Sequence, residues 1–223
     1  MQFTYHAEAK NEIIKLENDS FKHLIKARRH KVGQEIAFRN LEDEFLYFYE
    51  IETIDRRSAL LKLKSSKHNI VRANKILHIA WCIVDPKTVE KELSYLNELG
   101  VAKITFIPCE YSQNNFKLNF EKMNKILLNS SQQCGRSDII RLDTALSLEE
   151  FIKDNPDAYM LNFSQNLVED NKNSIKTIII GCEGGFSSKE VESFNKNKIV
   201  GFNTNLILKS QTAITAVAAK ILI

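Results

Sequence analysis

The segment Gly181-Cys182-Glu183-Gly184-Gly185-Phe186-Ser187-Ser188-Lys189-Glu190 gathers residue types that can hold a ligand. Its glycines permit positive φ and let a ligand approach the backbone closely. Backbone amides and carbonyls, with the Glu183 carboxylate, suit hydrogen bonding to a nucleoside edge or an amino-acid moiety. A triphosphate does not fit. The phosphate-loop pattern G-x-x-x-x-G-K-[ST] requires a Lys that this loop lacks, and the dinucleotide pattern G-x-G-x-x-G is absent as well. The ordinary alternative is a tight turn after a strand.

Two other segments carry polar groups at element ends. In Ile207-Leu208-Lys209-Ser210-Gln211-Thr212-Ala213 an apolar, strand-like end runs into polar residues at the head of the last helix. In Ser131-Gln132-Gln133-Cys134-Gly135-Arg136 a predicted helix stops at Gly135. Arg136 then falls just past the helix end, the usual place for a solvated basic residue. Cys82, Cys109, Cys134 and Cys182 form no C-x-x-C pair, so no zinc or thiol-redox motif is expected. Each reads as a small, partly buried apolar group in a reducing compartment.

The elements that must position these residues follow from pattern. Thr177-Ile178-Ile179-Ile180 is β-branched and apolar, a buried strand leading into the glycine loop. Ser187 and Glu190 have capping-box spacing, so a helix should start there. Strand, glycine loop and helix together form the ligand-binding unit of open α/β sheets. Lys75–Val84, Ile104–Ile107 and Ala158–Phe163 read as further strands. Asp85-Pro86 starts a helix carrying Val89, Leu93, Leu96 and Leu99, which Gly100 closes. Phe120, Met123, Ile126 and Leu127 mark a second helix, and Thr212–Ile223 an apolar last one. Alternating strands and helices predict a mostly parallel sheet covered on both faces.

The first 70 residues differ. A short helix is expected over Ser20–Arg29, with a turn at Gly33. Phe45–Glu52 and Ala59–Lys64 read as strands around a charged turn, Asp55-Arg56-Arg57-Ser58. This suggests a small barrel-like domain over residues 1–69, with Ser65-Ser66-Lys67-His68-Asn69 as linker, and an α/β domain over 70–223. The chain has 223 residues, 43% of them hydrophobic, enough for such a pair of cores. A formal charge of +3 does not by itself argue for nucleic acid. Clusters are needed, and Lys26, Arg28, Arg29, His30 and Lys31 form one, with Arg56, Arg57, Lys62 and Lys64 as a second. A solvated basic surface is the plain alternative. The amino terminus lacks a signal-peptide pattern, and no apolar run nears the roughly 20 residues that cross a bilayer. A soluble cytoplasmic protein is expected.

Five segments together resemble a known family. The glycine loop is similar to G-P-E-G-G-[FL]-[ST], and Ile207–Ala213 to I-L-R-[TS]-E-T-A. Gln133-Cys134-Gly135-Arg136 is similar to Q-[SC]-G-R, Asn97-Glu98-Leu99-Gly100-Val101 to x-E-L-G-V, and His23–Arg29 to H-L-x-x-V-L-R. They stand in the family's order along nearly the whole chain. The family is RsmE, the uridine-N3 methyltransferases of small-subunit ribosomal RNA. The chain departs from it at Cys182 (usually Pro), Lys209 (Arg), Gln211 (Glu), Gln132 (often Glu) and Tyr111 (Arg).

The resemblance implies a SPOUT-class methyltransferase domain with a deep trefoil knot, a PUA-like β-barrel before it, S-adenosylmethionine as cofactor and a homodimer. It implies a cofactor site at Leu161, Phe163, Ile180, Gly181, Cys182, Glu183, Gly184, Gly185, Val200, Gly201, Leu208, Lys209, Thr212 and Ala213. It implies RNA contacts by Lys26, Arg28, Arg29, Lys31, Arg136, Lys209 and Gln211. N3 of uridine holds a proton at neutral pH, so the site must remove that proton or stabilise the anion. Arg136 is the candidate cation beside the base, and Glu183 the candidate acceptor or cofactor-orienting acid. Lys209 and Gln211 would position the base or close the pocket. Lys lacks Arg's planar fork, so a bidentate contact at Lys209 would be lost. A ribose 2′-O-methyltransferase of the same superfamily is the competing enzyme reading. A non-catalytic RNA-binding assembly factor is the competing reading outside enzymes.

Overall fold

A computed structural model describes residues 2–113 and 117–223. The chain divides into two compact units. One comprises Met1–Arg72 with Ser131–Asp138, the other Ala73–Ser130 with Ile139–Ile223.

The first unit contains β1 (Thr4–Tyr5), β2 (Ile13–Glu17), α1 (Asn18–Phe21), β3 (Glu35–Arg39), β4 (Phe45–Ile54) and β5 (Ser58–His68). They form a five-stranded sheet in the order β1-β3-β4-β5-β2, with β1 and β2 at its two ends. Only β1 and β3 pair in parallel. Period-two alternation sets one face inward: Ile14 and Leu16 of β2 are buried while Ile13, Lys15 and Glu17 are exposed. They pack with Phe38, Tyr49, Ile51 and Leu61.

The sequence expected one helix over Ser20–Arg29. Instead α1 widens into a π-helical turn at Lys22–Ala27, which buries Leu24 and Ile25. The expected linker is also different. Ser65 to His68 continue β5, opposite Phe48 to Phe45 of β4. Polar residues hid this strand, since its pairing is made by backbone and needs no apolar side chain. Ser131–Asp138 joins this unit by hydrogen bonds: Phe3 N–H donates to the Gln132 carbonyl (3.3 Å), Tyr5 N–H to Gln132 Oε1 (2.8 Å), and Ser137 N–H to the Val71 carbonyl (2.9 Å).

The second unit contains β6 (His78–Cys82), α2 (Pro86–Leu99), β7 (Lys103–Ile107), the start of α3 (Phe120–Cys134), β8 (Arg141–Thr144), α4 (Leu148–Asp154), β9 (Tyr159–Leu161), α5 (Val168–Asn171), β10 (Thr177–Ile180), α6 (Ser188–Ser193), β11 (Ile199–Val200) and α7 (Ser210–Leu222). Six strands pair in the order β11-β9-β10-β6-β7-β8, all parallel. Both central strands read as continuous apolar runs because both their faces are buried: Ile79 to Cys82 and Ile178 to Ile180 are almost fully covered. Asp85 caps α2 by accepting from Lys87 N–H (3.1 Å), with Pro86 in the first turn. Gly100 closes that helix in the left-handed region (φ 97°). Asn97, fully buried on α2, donates to Ser130 Oγ (3.2 Å) and accepts from Ile140 N–H (3.3 Å), which ties α2 to the segments after it.

From β6 the chain moves outward to β7 and β8. The later strands lie on the other side of β6. The order therefore reverses at the β6–β10 pair, and ligands of open α/β sheets gather at the carboxyl ends of strands beside such a reversal.

Candidate functional site

A cleft of about 380 Å³ opens at those carboxyl ends. Three loops build it. Leu161–Gln165 follows β9, Ile180–Phe186 follows β10, and residues between Phe202 and Ala213 follow β11. Its size falls in the small-molecule range, and its wall mixes glycine backbone with Phe163, Phe186, Phe202, Leu206, Ile207 and Leu208.

The glycine loop takes its shape from a tight turn. Gly185 N–H donates to the Cys182 carbonyl (3.0 Å), with Gly185 at φ 70° where L side chains are strained. Helix α6 then starts at the expected capping box. Ser187 Oγ accepts from Glu190 N–H (3.3 Å), and Glu190 Oε2 accepts from Ser187 N–H (2.8 Å). Glu190 does more than cap, since its Oε1 also accepts from Glu110 N–H (2.9 Å) in the loop after β7. Two neighbouring loops are thus fixed by one carboxylate.

Ser210, the first residue of α7, is a buried junction. Trp81 Nε1–H of β6 donates to its Oγ (2.8 Å), and that hydroxyl donates to the Gly181 carbonyl (2.5 Å). Behind the wall, Gly201 follows β11. Its N–H donates to the Asn166 carbonyl (2.8 Å) and its carbonyl accepts from Val168 N–H (3.0 Å). A Cβ at Gly201 would lie 2.5 Å from the Ser164 carbonyl oxygen, so only glycine allows the β9 loop this close.

Charge in the cleft is sparse and one-signed. Glu183 is exposed on the wall, and neither Lys nor Arg is among the described lining residues. Such a wall suits a ligand with positive charge and disfavours phosphate groups. Cys182 of the loop interacts with two further thiols, Cys109 and Cys82. Cys109 and Cys182 sulfurs are 3.6 Å apart, and Ser112 Oγ lies 3.1 Å from Cys109 Sγ. Hydrogen bonding with Cys182, Cys82 and Ser112 lowers the Cys109 thiol from its usual range, against the effect of burial. The bond to Cys109 and burial push Cys82 and Cys182 upward.

Residues 72–222 match the family described as RNA methyltransferase domain, and residues 16–64 the family described as RNA methyltransferase PUA domain. The chain is 37% identical over 222 residues to the Ribosomal RNA small subunit methyltransferase E of Helicobacter pylori strain 26695, covering 98% of each. The chain belongs to this RNA methyltransferase family. A relative of the same name from Rickettsia conorii is 26% identical, over 94% of this chain and 90% of its own. Among solved structures, the Neisseria gonorrhoeae small subunit methyltransferase E bound to S-adenosyl methionine superposes with TM-score 0.81 at 15% identity, over 98% of this chain and 95% of that one. A Legionella pneumophila putative methyltransferase with bound SAM gives 0.76 at 22%, with the same coverage. These likenesses establish the fold: an α/β protein with a curled sheet unit and an all-parallel sheet with helices.

For a methyltransferase of this family, the cleft gathers most of the residues implied for the cofactor. Leu161, Phe163, Ile180, Gly181, Cys182, Glu183, Gly184, Gly185, Leu208 and Ala213 line it. Val200, Gly201, Lys209 and Thr212 do not; Val200 and Gly201 are buried behind the wall, and Lys209 and Thr212 are exposed at the head of α7. Sequence reasoning missed Ser210 as a site residue although it stood in a quoted motif, because a serine at a helix start reads first as a cap. It also missed Asn162, Ser164, Phe186 and Phe202, which carry no type signal of their own.

Arg136 departs from expectation. It is 6% exposed rather than solvated, and its Nε–H donates to Asp138 Oδ1, which is itself paired with Arg72 through its other oxygen (2.9 Å). It groups with the first unit, whereas the glycine loop is in the second. Lys26, Arg28, Arg29 and Lys31 are exposed around the π-helical turn, with Lys26 Nζ over the Phe21 ring (5.4 Å) and Arg29 in the left-handed region (φ 59°). Gln211 is half-buried at the head of α7. Among the described residues, no His, Cys, Asp or Glu group fits a metal ion. None of their helices is long and apolar enough to cross a membrane.

Proposed function

We propose that the protein methylates N3 of a uridine in small-subunit (16S) ribosomal RNA, with S-adenosylmethionine held in the β9–β10–β11 cleft. The observation that carries this is a full-length relation to small subunit methyltransferase E joined to a cleft of matching chemistry. S-adenosylmethionine supplies an electrophilic methyl on a positively charged sulfonium. A wall whose one charged side chain among the described residues is Glu183 favours such a cation, and Phe163, Leu206 and Ile207 offer apolar cover for a nucleoside. The loop binds through backbone groups, so Cys182 in place of Pro leaves its hydrogen-bonding capacity intact.

For the chemistry, Glu183 is the acid on the wall and serves as acceptor for the N3 proton or orients the cofactor. Arg136 supplies positive charge for the uridine anion, its side chain oriented by Asp138. Lys26, Arg28, Arg29 and Lys31 bind RNA phosphates, with Lys209 and Gln211 at the base. The reading includes a homodimer, a cytoplasmic setting and the trefoil knot. It also takes residues 1–69 as a PUA-like domain and 70–223 as the methyltransferase domain.

Nucleoside mass spectrometry of 16S RNA from cells with and without the gene tests the reaction. 3-Methyluridine should vanish without it; loss of a ribose-methylated nucleoside instead would establish the 2′-O reading. Absence of any S-adenosylmethionine binding by calorimetry would leave an assembly factor. Arg136→Ala should lower the methylation rate sharply with cofactor affinity little changed, and unchanged turnover would remove Arg136 from the mechanism.

A further inference from the structure

The geometry points to Cys109 and Cys182 as a reversible disulfide-forming site, oxidised by a peroxide, that locks the glycine loop to the chain end of β7. No step of the proposed methyl transfer uses either sulfur. Cys109 follows β7, and Cys182 is the second residue of the loop after β10. These strands are not neighbours; β6 lies between them. Their sulfurs nonetheless converge to 3.6 Å in the reduced protein. A disulfide needs about 2.05 Å, so closure asks for an approach of roughly 1.5 Å.

Access selects this pair from the three thiols. Cys182 lines the open cleft, and Cys109 and Cys182 keep 8% and 6% of their surface, while Cys82 keeps 0%. Reactivity selects the attacking sulfur. Ser112 Oγ lies at 3.1 Å from Cys109 Sγ, and hydrogen bonding to a thiolate favours that form. The Cys109 thiolate attacks the O–O bond of the peroxide. One oxygen bonds to sulfur, and the other leaves as hydroxide and takes up a proton as water. The Cys182 sulfur, losing its proton, then attacks the Cys109 sulfenic acid. The S–O bond breaks, and the hydroxyl leaves with that proton as a second water. Two thiols and one peroxide thus give one disulfide and two waters.

Closure would draw Cys182 from the cleft wall and strain the turn that its carbonyl makes with Gly185 N–H. The expected consequence, which rests on the S-adenosylmethionine reading, is weaker cofactor binding in the oxidised form. Transient, sensing disulfides are the usual kind in reducing compartments.

The test uses the full chain carrying Cys134→Ser, which removes the exposed thiol. After hydrogen peroxide, peptide mapping should find a Cys109–Cys182 cross-link with loss of two hydrogens, reversed by dithiothreitol. Cys182→Ser should abolish the cross-link, and the unsubstituted chain gives the same map should that variant not fold. A Cys82–Cys109 link, or sulfinic acid at Cys109 with no link, overturns the site. Calorimetry with S-adenosylmethionine should show at least a tenfold loss of affinity on oxidation, restored by reductant. Equal affinity overturns the control of binding. If neither form binds, the cofactor reading fails, while the cross-link result stands by itself.

Discussion

The two ends of the parallel sheet are built from different materials. At the carboxyl ends of β9, β10 and β11 the structure is held by backbone groups, a serine hydroxyl and one capping carboxylate. At the amino ends of β6 and β7 it is held by polar and charged side chains. His78 Nε2 and Thr105 Oγ1 are 2.8 Å apart, Lys103 pairs with Asp143 (2.9 Å), and the His78 ring meets Phe151 edge-on (5.5 Å). A second cleft lies at this end, and its wall carries Lys103, Asp143, Glu150 and Asp154. The difference teaches what a small-molecule site demands. Backbone groups keep one geometry and one charge at every pH, whereas an ionic wall would compete with a charged ligand and change as it titrates.

The sharpest way to break the contrast is at Gly201. Gly201→Ala would drive a Cβ against the backbone of Ser164 and push the β9 loop away. We expect a loss near the upper end of overpacking, about 3 kcal/mol, with S-adenosylmethionine affinity lost as well. Thermal melts and calorimetry read both, and a variant with unchanged cofactor affinity would show that the loop contact is not part of the site.

Ser210→Ala comes next. It leaves the buried Trp81 Nε1–H without its partner and frees the Gly181 carbonyl, at a cost of about 2 kcal/mol. Denaturant midpoints at constant slope would measure it. An unchanged midpoint would mean that another acceptor takes over. Smaller still, Glu190→Ala removes the capping box and the bond to Glu110 N–H, for about 1 kcal/mol. Faster amide exchange should then appear at both Ser187 and Glu110. Exchange confined to Ser187 would argue against the bridge between loops.

The mildest test belongs to the other end. Burial, with the nearby Lys103 charge, lowers the His78 pKa from 6.5 to about 4, and Asp143 opposes the shift. The unfolded chain therefore takes up this proton first as pH falls. The stability tied to neutral His78 is present above pH 6.5 and is lost between 6.5 and about 4. His78→Gln should flatten stability against pH in that window. An identical curve for both proteins would assign the acid loss to other groups.

Which parts were legible follows the same physics. Strands buried on both faces announce themselves: Thr177–Ile180 is apolar and β-branched, and the structure places β10 on those residues. Local chemistry with few partners was also readable, as at Asp85-Pro86, Gly100 and the Ser187–Glu190 box. Elements stabilised by backbone pairing alone were not. β8, with the sequence Arg-Leu-Asp-Thr, and the polar end of β5 offer no apolar period. The site divided likewise. The glycine loop could be seen because glycine type and spacing encode its turn. The pairing of Arg136 with Asp138 could not, since a carboxylate two residues away is as common on a surface as in a buried pair. The convergence of Cys109 with Cys182 across β6 has no local sequence signal at all.

The strand order also sets a timetable. β6 ends at Cys82, yet its neighbour β10 begins only at Thr177, and the cleft draws on residues from Leu161 to Ala213. A chain emerging from the ribosome must hold β6 with one side open until Thr177–Ile180 has been synthesised. Pairings so distant in sequence fold slowly and leave apolar edges bare in the meantime. The cleft is therefore among the late features to form, and a ligand held there must wait until residues through Ala213 have emerged.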